Sequence, residues 1–130
     1  EVIDIKNSWD FSTFPLFESK TPNSDYFYQL QGYMLLTGLR SARLIYTLMT
    51  PPRSIIENEA RGLMYAKKID FEEALLIKEE ELSYEDTNAG LRIKAFDVEF
   101  SEDIAEDIKY RVMLCRDYIE TLYNKIRVNW

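Results

Sequence analysis

Glu1-Val2-Ile3-Asp4-Ile5-Lys6 opens the chain, and how it is read decides the fold. Its β-branched residues, followed by Asn7 and Ser8, predict a strand over residues 1–6. Side chains alternate along a strand, so Asp4 and Lys6 project from one face and Glu1 from the other. The next ordered element is a helix over residues 24–39, with Ser24 as N-cap, Asp25 at its positive end and Gly38 closing it. It carries Gln29-Leu30-Gln31-Gly32-Tyr33, and Gln29 and Tyr33, four apart, share a face. Tyr26, Gln29, Tyr33, Leu36 and Arg40 form one stripe, while Phe27, Leu30 and Met34, and Tyr28, Leu35 and Leu39, fill the other directions. A helix apolar in most directions is expected to be buried, leaving Gln29 in need of a polar partner. Residues 42–49 follow as a strand apolar on both faces, the mark of an interior strand, and Pro51 and Pro52 stop it.

A carboxylate and an ammonium held side by side on a rigid element suit metal-assisted hydrolysis. The carboxylate can ligate a divalent cation, while the ammonium orients water and offsets charge in the transition state. Read alone, Asp-x-Lys is also the pattern of an ordinary surface ion pair, worth a few tenths of a kcal/mol.

The ordered set is more specific. Asp4-Ile5-Lys6, a loop, Gln29-x-x-x-Tyr33 on an apolar helix and a hydrophobic strand after it resemble the PD-(D/E)XK nuclease superfamily, in its RecB-like and phage exonuclease branches. The resemblance covers roughly residues 1–50. It implies catalytic roles for Asp4, Lys6, Gln29 and Tyr33, with Asp4 as a metal ligand, Mg²⁺ or Mn²⁺ as cofactor and DNA as partner. The chain departs from the family pattern in one respect: the family's second metal-binding acid stands on a strand before the position of Asp4, whereas this sequence begins at Glu1. The sequence therefore reads as one domain over residues 1–130, the C-terminal portion of a longer nuclease domain.

Composition narrows the chemistry. Cys115 is the only cysteine and there is no histidine, which excludes an intrachain disulfide, His-based general catalysis and His- or Cys-ligated zinc. Any metal must sit on oxygen ligands, which favours Mg²⁺ or Mn²⁺. No apolar run approaches the roughly 18 residues of a membrane span, so a membrane is not an expected partner. Unpaired cysteine usage fits a reducing compartment and a cytoplasmic location. The net charge of −7 looks unfavourable for a DNA binder, but residues 1–53 hold five acids and five bases, so the excess negative charge lies in residues 54–130.

Between the first strand and the helix lies a loop of about sixteen residues, a length usually tied to function or ordered by its own side chains. Its Trp9, Phe11, Phe14 and Phe17 have two readings, a stacking surface for nucleic-acid bases or a lid over the core. Downstream, Ser54-Ile55-Ile56-Glu57 reads as a capping box starting a helix to residue 67, with Arg53 and Arg61 available for phosphate or for ion pairs. Asp70-Phe71-Glu72-Glu73 has the same spacing and starts a helix to residue 82, whose Glu79-Glu80-Glu81 reads as a solvated face. Residues 91–100 alternate imperfectly as an amphipathic strand, on which Asp97 and Glu99 are candidate substitutes for the second metal ligand. Ser101 caps a last helix with Ile104, Ile108, Val112, Cys115, Ile119, Leu122 and Ile126 in one stripe that needs a packing partner.

The expected fold is α/β, a small mixed sheet flanked by helices, which the resemblance makes a partial restriction-endonuclease-like nuclease core with a helical C-terminal extension. The expected activity, in the full-length protein, is Mg²⁺-dependent hydrolysis of DNA phosphodiesters, as exonuclease or endonuclease. The chain alone is expected to be inactive. The alternative is an inactive nuclease-fold remnant that binds DNA or protein.

Overall fold

The computed structural model describes residues 1–128. Its elements run in the order β1 (Val2–Ser8), α1 (Ser24–Thr37), β2 (Ser41–Leu48), α2 (Arg53–Lys67), α3 (Phe71–Glu81), a single 3₁₀ turn (Ala89–Leu91), β3 (Ile93–Glu99) and α4 (Glu102–Val128). The three strands form one sheet in the order β1-β2-β3. Cross-strand contacts give its directions. Glu1 meets Arg43, Asn7 meets Thr47 and Met49 N–H donates to Ser8 C=O, so β1 and β2 ascend together and are parallel. Phe100 pairs with Arg40, Asp97 with Arg43 and Arg92 with Leu48, so β3 is antiparallel to β2. The sheet is therefore mixed, and α1 is the crossover that a parallel neighbour requires.

The chain divides into two compact units. The first comprises Glu1–Val2, Asn23–Arg43 and Asp97–Trp130. Here α1 packs against α4 and buries Leu30, Gln31 and Met34, with Ala42, Val98 and Ala105 also buried. Only one face of α1 is covered. Tyr28, Tyr33 and Leu36 are exposed, which corrects the expectation of a helix buried all round. Asn23, not Ser24, caps α1, its Oδ1 accepting from Asp25 N–H at 2.8 Å. Gly38 closes the helix at φ 73°, a left-handed conformation that glycine adopts without a Cβ penalty, and its N–H donates to Met34 C=O.

The second unit comprises Ile3–Pro22 and Leu44–Phe96. Leu44, Tyr46 and Leu48 of β2, Phe96 of β3, Ile56 and Ala60 of α2, Ala74 of α3, and Phe14 and Tyr84 from loops are among its buried apolar residues. Arg53 joins α2 to α3 by pairing with Glu57 and Glu79, and the Arg61 guanidinium stacks over Phe71, so both arginines are engaged within the fold. Asp70 caps α3 as its spacing predicts, accepting from Glu73 N–H at 2.8 Å. The capping box at Ser54 does not form. Pro52, with φ preset at −57°, stands at the N-cap and α2 starts at Arg53, so Ser54 already lies in the first turn.

Candidate active site

β1 runs two residues past its expected end at Lys6, because Asn7 and Ser8 are held in the sheet. Asn7 Oδ1 accepts from Thr47 Oγ1 at 2.6 Å, and Ser8 C=O accepts from Met49 N–H at 3.0 Å. This fixes the alternation of the strand, and it runs against the usual partition of polar and apolar residues. Ile3 and Ile5 are 56% and 58% exposed, whereas the Asp4 and Lys6 side chains keep only 17% and 23% of their accessible surface. The pair is therefore more sheltered than an ordinary surface ion pair.

Lys6 Nζ lies 3.0 Å from Asp4 Oδ2. That oxygen is buried and accepts no hydrogen bond, so Lys6 neutralises its charge without saturating its lone pairs. A desolvated carboxylate oxygen with unused lone pairs suits a hard cation. Among the described residues no three Asp, Glu or Cys side chains gather as a metal-binding group. Asp97, a candidate second ligand, is instead hydrogen-bonded by Arg43 Nε at 2.8 Å, and the same guanidinium reaches Glu1 at 3.3 Å. Glu99 serves through its backbone, its C=O accepting from Gln31 Nε2 at 2.7 Å.

Gln29 and Tyr33 meet as helical spacing dictates, Gln29 Nε2 donating to Tyr33 Oη at 2.6 Å, with Tyr33 exposed and Gln29 half-buried. The structure thus joins Asp4 to Lys6 in one compact unit and Gln29 to Tyr33 in the other. The fully buried glutamine is Gln31, which sequence reasoning passed over. Its Nε2 donates to Glu99 C=O and its Oε1 accepts from Ser101 N–H at 2.9 Å, so one amide fixes the turn from β3 into α4. A glutamine on the face shared with Leu30 and Met34 is the signal that points to it, since a polar group there must find partners.

The loop after β1 is ordered by its own side chains. Asp10 Oδ1 accepts from Ser12 Oγ, Thr13 N–H and Thr13 Oγ1 at 2.6, 2.9 and 3.1 Å, and these bonds, Ser12 foremost, hold the Asp10 carboxyl below its usual 3.8. The four loop aromatics differ in exposure. Phe14 is buried, Phe17 is 94% exposed, and Trp9 and Phe11 stand half-exposed beside a cleft of about 410 Å³ that Tyr84 also lines. Tyr84 Oη donates to Trp9 C=O at 3.1 Å and its ring meets Phe11 edge-on. Burial, then the charges of Asp10 and Glu81, push the Tyr84 phenol up from 10.0. Asp10, Glu59 and Glu81 line this cleft against one ammonium, Lys78, already paired with Glu81 at 2.7 Å. Three carboxylates against one paired ammonium make this cleft electrostatically unfavourable for a phosphate.

No protein-family model and no curated protein matches the chain. Among solved structures, a phage-related exonuclease from Haemophilus somnus 129PT is similar, at 25% sequence identity and a TM-score of 0.67 over 95% of this chain. The match takes in 51% of the exonuclease, so the chain spans about half the length of the structure it resembles. The three-stranded mixed sheet with its four helices is thus a nuclease-like α/β fold, the architecture expected of a partial nuclease core.

Proposed function

We propose that this chain is part of a metal-dependent deoxyribonuclease of the PD-(D/E)XK superfamily, RecB-like or phage type, which hydrolyses DNA phosphodiesters. The observation that carries the reading is the sheltered Asp4–Lys6 pair, with an Asp4 oxygen 3.0 Å from the ammonium and free of hydrogen bonds. The likeness to a phage-related exonuclease supports it at the level of fold. Bound Mg²⁺ or Mn²⁺ supplies Lewis-acid polarisation of the phosphate and a more acidic water. Asp4 would hold the ion, and Lys6 would orient water and counter the charge that builds on the phosphoryl oxygens. Gln29 and Tyr33, already hydrogen-bonded to each other, position the substrate. A second acid would be needed beside Asp4, since magnesium held by one carboxylate competes poorly with its own hydration.

The test is turnover of linear duplex and single-stranded DNA by the full-length protein with Mg²⁺ or Mn²⁺. Lys6→Ala and Asp4→Asn are each expected to lower the rate by about a hundredfold or more, with circular dichroism confirming that both stay folded at the assay temperature. Full activity in folded Lys6→Ala protein would remove Lys6 from the mechanism. Absence of metal-dependent cleavage by the full-length protein would favour the alternative, a nuclease-fold module that binds DNA or protein without cutting.

A further inference from the structure

The stripe along α4 finds cover only at its base. Ala105 is buried and Ile104 and Ile108 are half-buried, but every residue over 109–127 is exposed, among them Val112, Cys115, Ile119, Leu122 and Ile126. Those five recur at steps of three and four, the spacing of a coiled-coil seam. With Val112, Ile119 and Ile126 at one repeating position and Cys115 and Leu122 at the other, β-branched residues alternate with unbranched or γ-branched ones, the distribution that favours a two-stranded pairing. The exposed length of about 28 Å, at 1.5 Å per residue, presents five turns of helix.

The residues flanking the seam choose between partners. Arg111, Arg116, Lys125 and Lys109, the last paired with Glu106 at 2.7 Å, are the charged residues on its two shoulders, whereas Asp107, Asp117 and Glu120 lie on the outer side. A second copy of this chain, docked in parallel, would set Arg111 against Arg116; docked antiparallel, it would set basic shoulder against basic shoulder. Like charges across a seam disfavour either dimer. We propose that residues 109–127 of α4 dock an amphipathic helix of another protein whose apolar seam is flanked by glutamates or aspartates.

Cys115 lies in mid-seam and is free, so its alkylation reports docking directly. The experiment measures, by mass spectrometry of its peptide, the rate at which Cys115 in the full-length protein reacts with iodoacetamide. Two synthetic helices serve as probes, each about four heptads long with Ile and Leu on the seam, one carrying Glu and the other Lys at every flanking position. The Glu helix is expected to slow alkylation about tenfold or more, an effect that weakens with added salt, and the Lys helix to leave it unchanged. Arg111→Glu with Arg116→Glu should reverse that preference. Ile119→Asp should abolish protection with helix content intact, because an exposed residue leaves the fold unaffected. Equal protection by both helices overturns the proposal, as does protection by duplex DNA but not by the Glu helix. Cys115 already protected in the full-length protein alone, or self-association lost in Ile119→Asp, also overturns it by assigning the seam to the chain's own remainder or to a second copy.

Discussion

Asp4 Oδ2 and Lys6 Nζ stand 3.0 Å apart on alternate positions of β1, with most of both side chains withdrawn from solvent. Shelter raises what each partner owes the other. Removing Lys6 leaves a desolvated carboxylate unpaired, so Lys6→Ala should destabilise the fold by about 1–3 kcal/mol, between the worth of an exposed pair and that of a fully buried one. Asp4→Ala added to it should recover part of the loss, because neither charge is then stranded. Urea unfolding of the single and double variants checks this. A loss below about 0.5 kcal/mol would mark the pair as solvent-screened.

Lys6 and Gln29 have proposed roles in one reaction. In the full-length protein, Gln29→Ala and Lys6→Ala should then combine to less than the product of their separate rate losses, since residues that act as a unit are strongly non-additive. Single-turnover rates on linear DNA give the comparison. Multiplicative effects would separate Gln29 from the chemistry.

Residues 1–130 alone should bind Mg²⁺ poorly and leave DNA intact, because Asp4 is the one acid assigned to the metal. Calorimetry with Mg²⁺ and incubation of linear DNA with Mg²⁺ or Mn²⁺ test both halves, with Asp4→Ala as control. Digestion that depends on Asp4 would place a second ligand within this chain.

Gln31 offers a stability test independent of function. Gln31→Leu keeps the approximate volume but strands Ser101 N–H and Glu99 C=O, which the amide now satisfies at 2.9 and 2.7 Å. A cost of about 2–4 kcal/mol is expected from two unsatisfied backbone groups. Hydrogen exchange should show the loosening at the start of α4 first. An unchanged unfolding midpoint would show that water replaces the amide.

Asp10 sets a pH response. Its folded-state pKa is lowered by Ser12 and Thr13, so its contribution is present above the ordinary 3.8 and is lost as pH falls through the lower folded value. Wild-type stability should therefore drop over that acid interval more than that of Asp10→Asn, while the two curves run parallel near neutrality. Unfolding midpoints across the acid range, from pH 7 downward, measure it. Parallel curves throughout would mean that Asp10 titrates alike in both states.

Local chemistry made much of this protein legible in its sequence. The strand–helix–strand opening, the Asp70 cap, the left-handed stop at Gly38 and the i, i+4 meeting of Gln29 with Tyr33 all depend on residues within a few positions of each other, where periodicity and turn chemistry act directly. That Asp4 and Lys6 share a face follows from period two alone. Which face they share does not. Alternation is the same whether the isoleucines or the charges turn inward, and only the packing of the sheet turned Ile3 and Ile5 out and sheltered the pair. Tertiary structure likewise gave Asn7 and Ser8 to β1 through partners at Thr47 and Met49, forty positions away. It made Gln31 rather than Gln29 the buried amide, because its two partners lie about seventy residues downstream. The stripe on α4 shows the same division: its spacing is written in the sequence, whereas only the folded chain reveals that it is exposed beyond Ile108. Periodicity records which residues travel together, but the choice of what covers them is made by contacts distant in sequence.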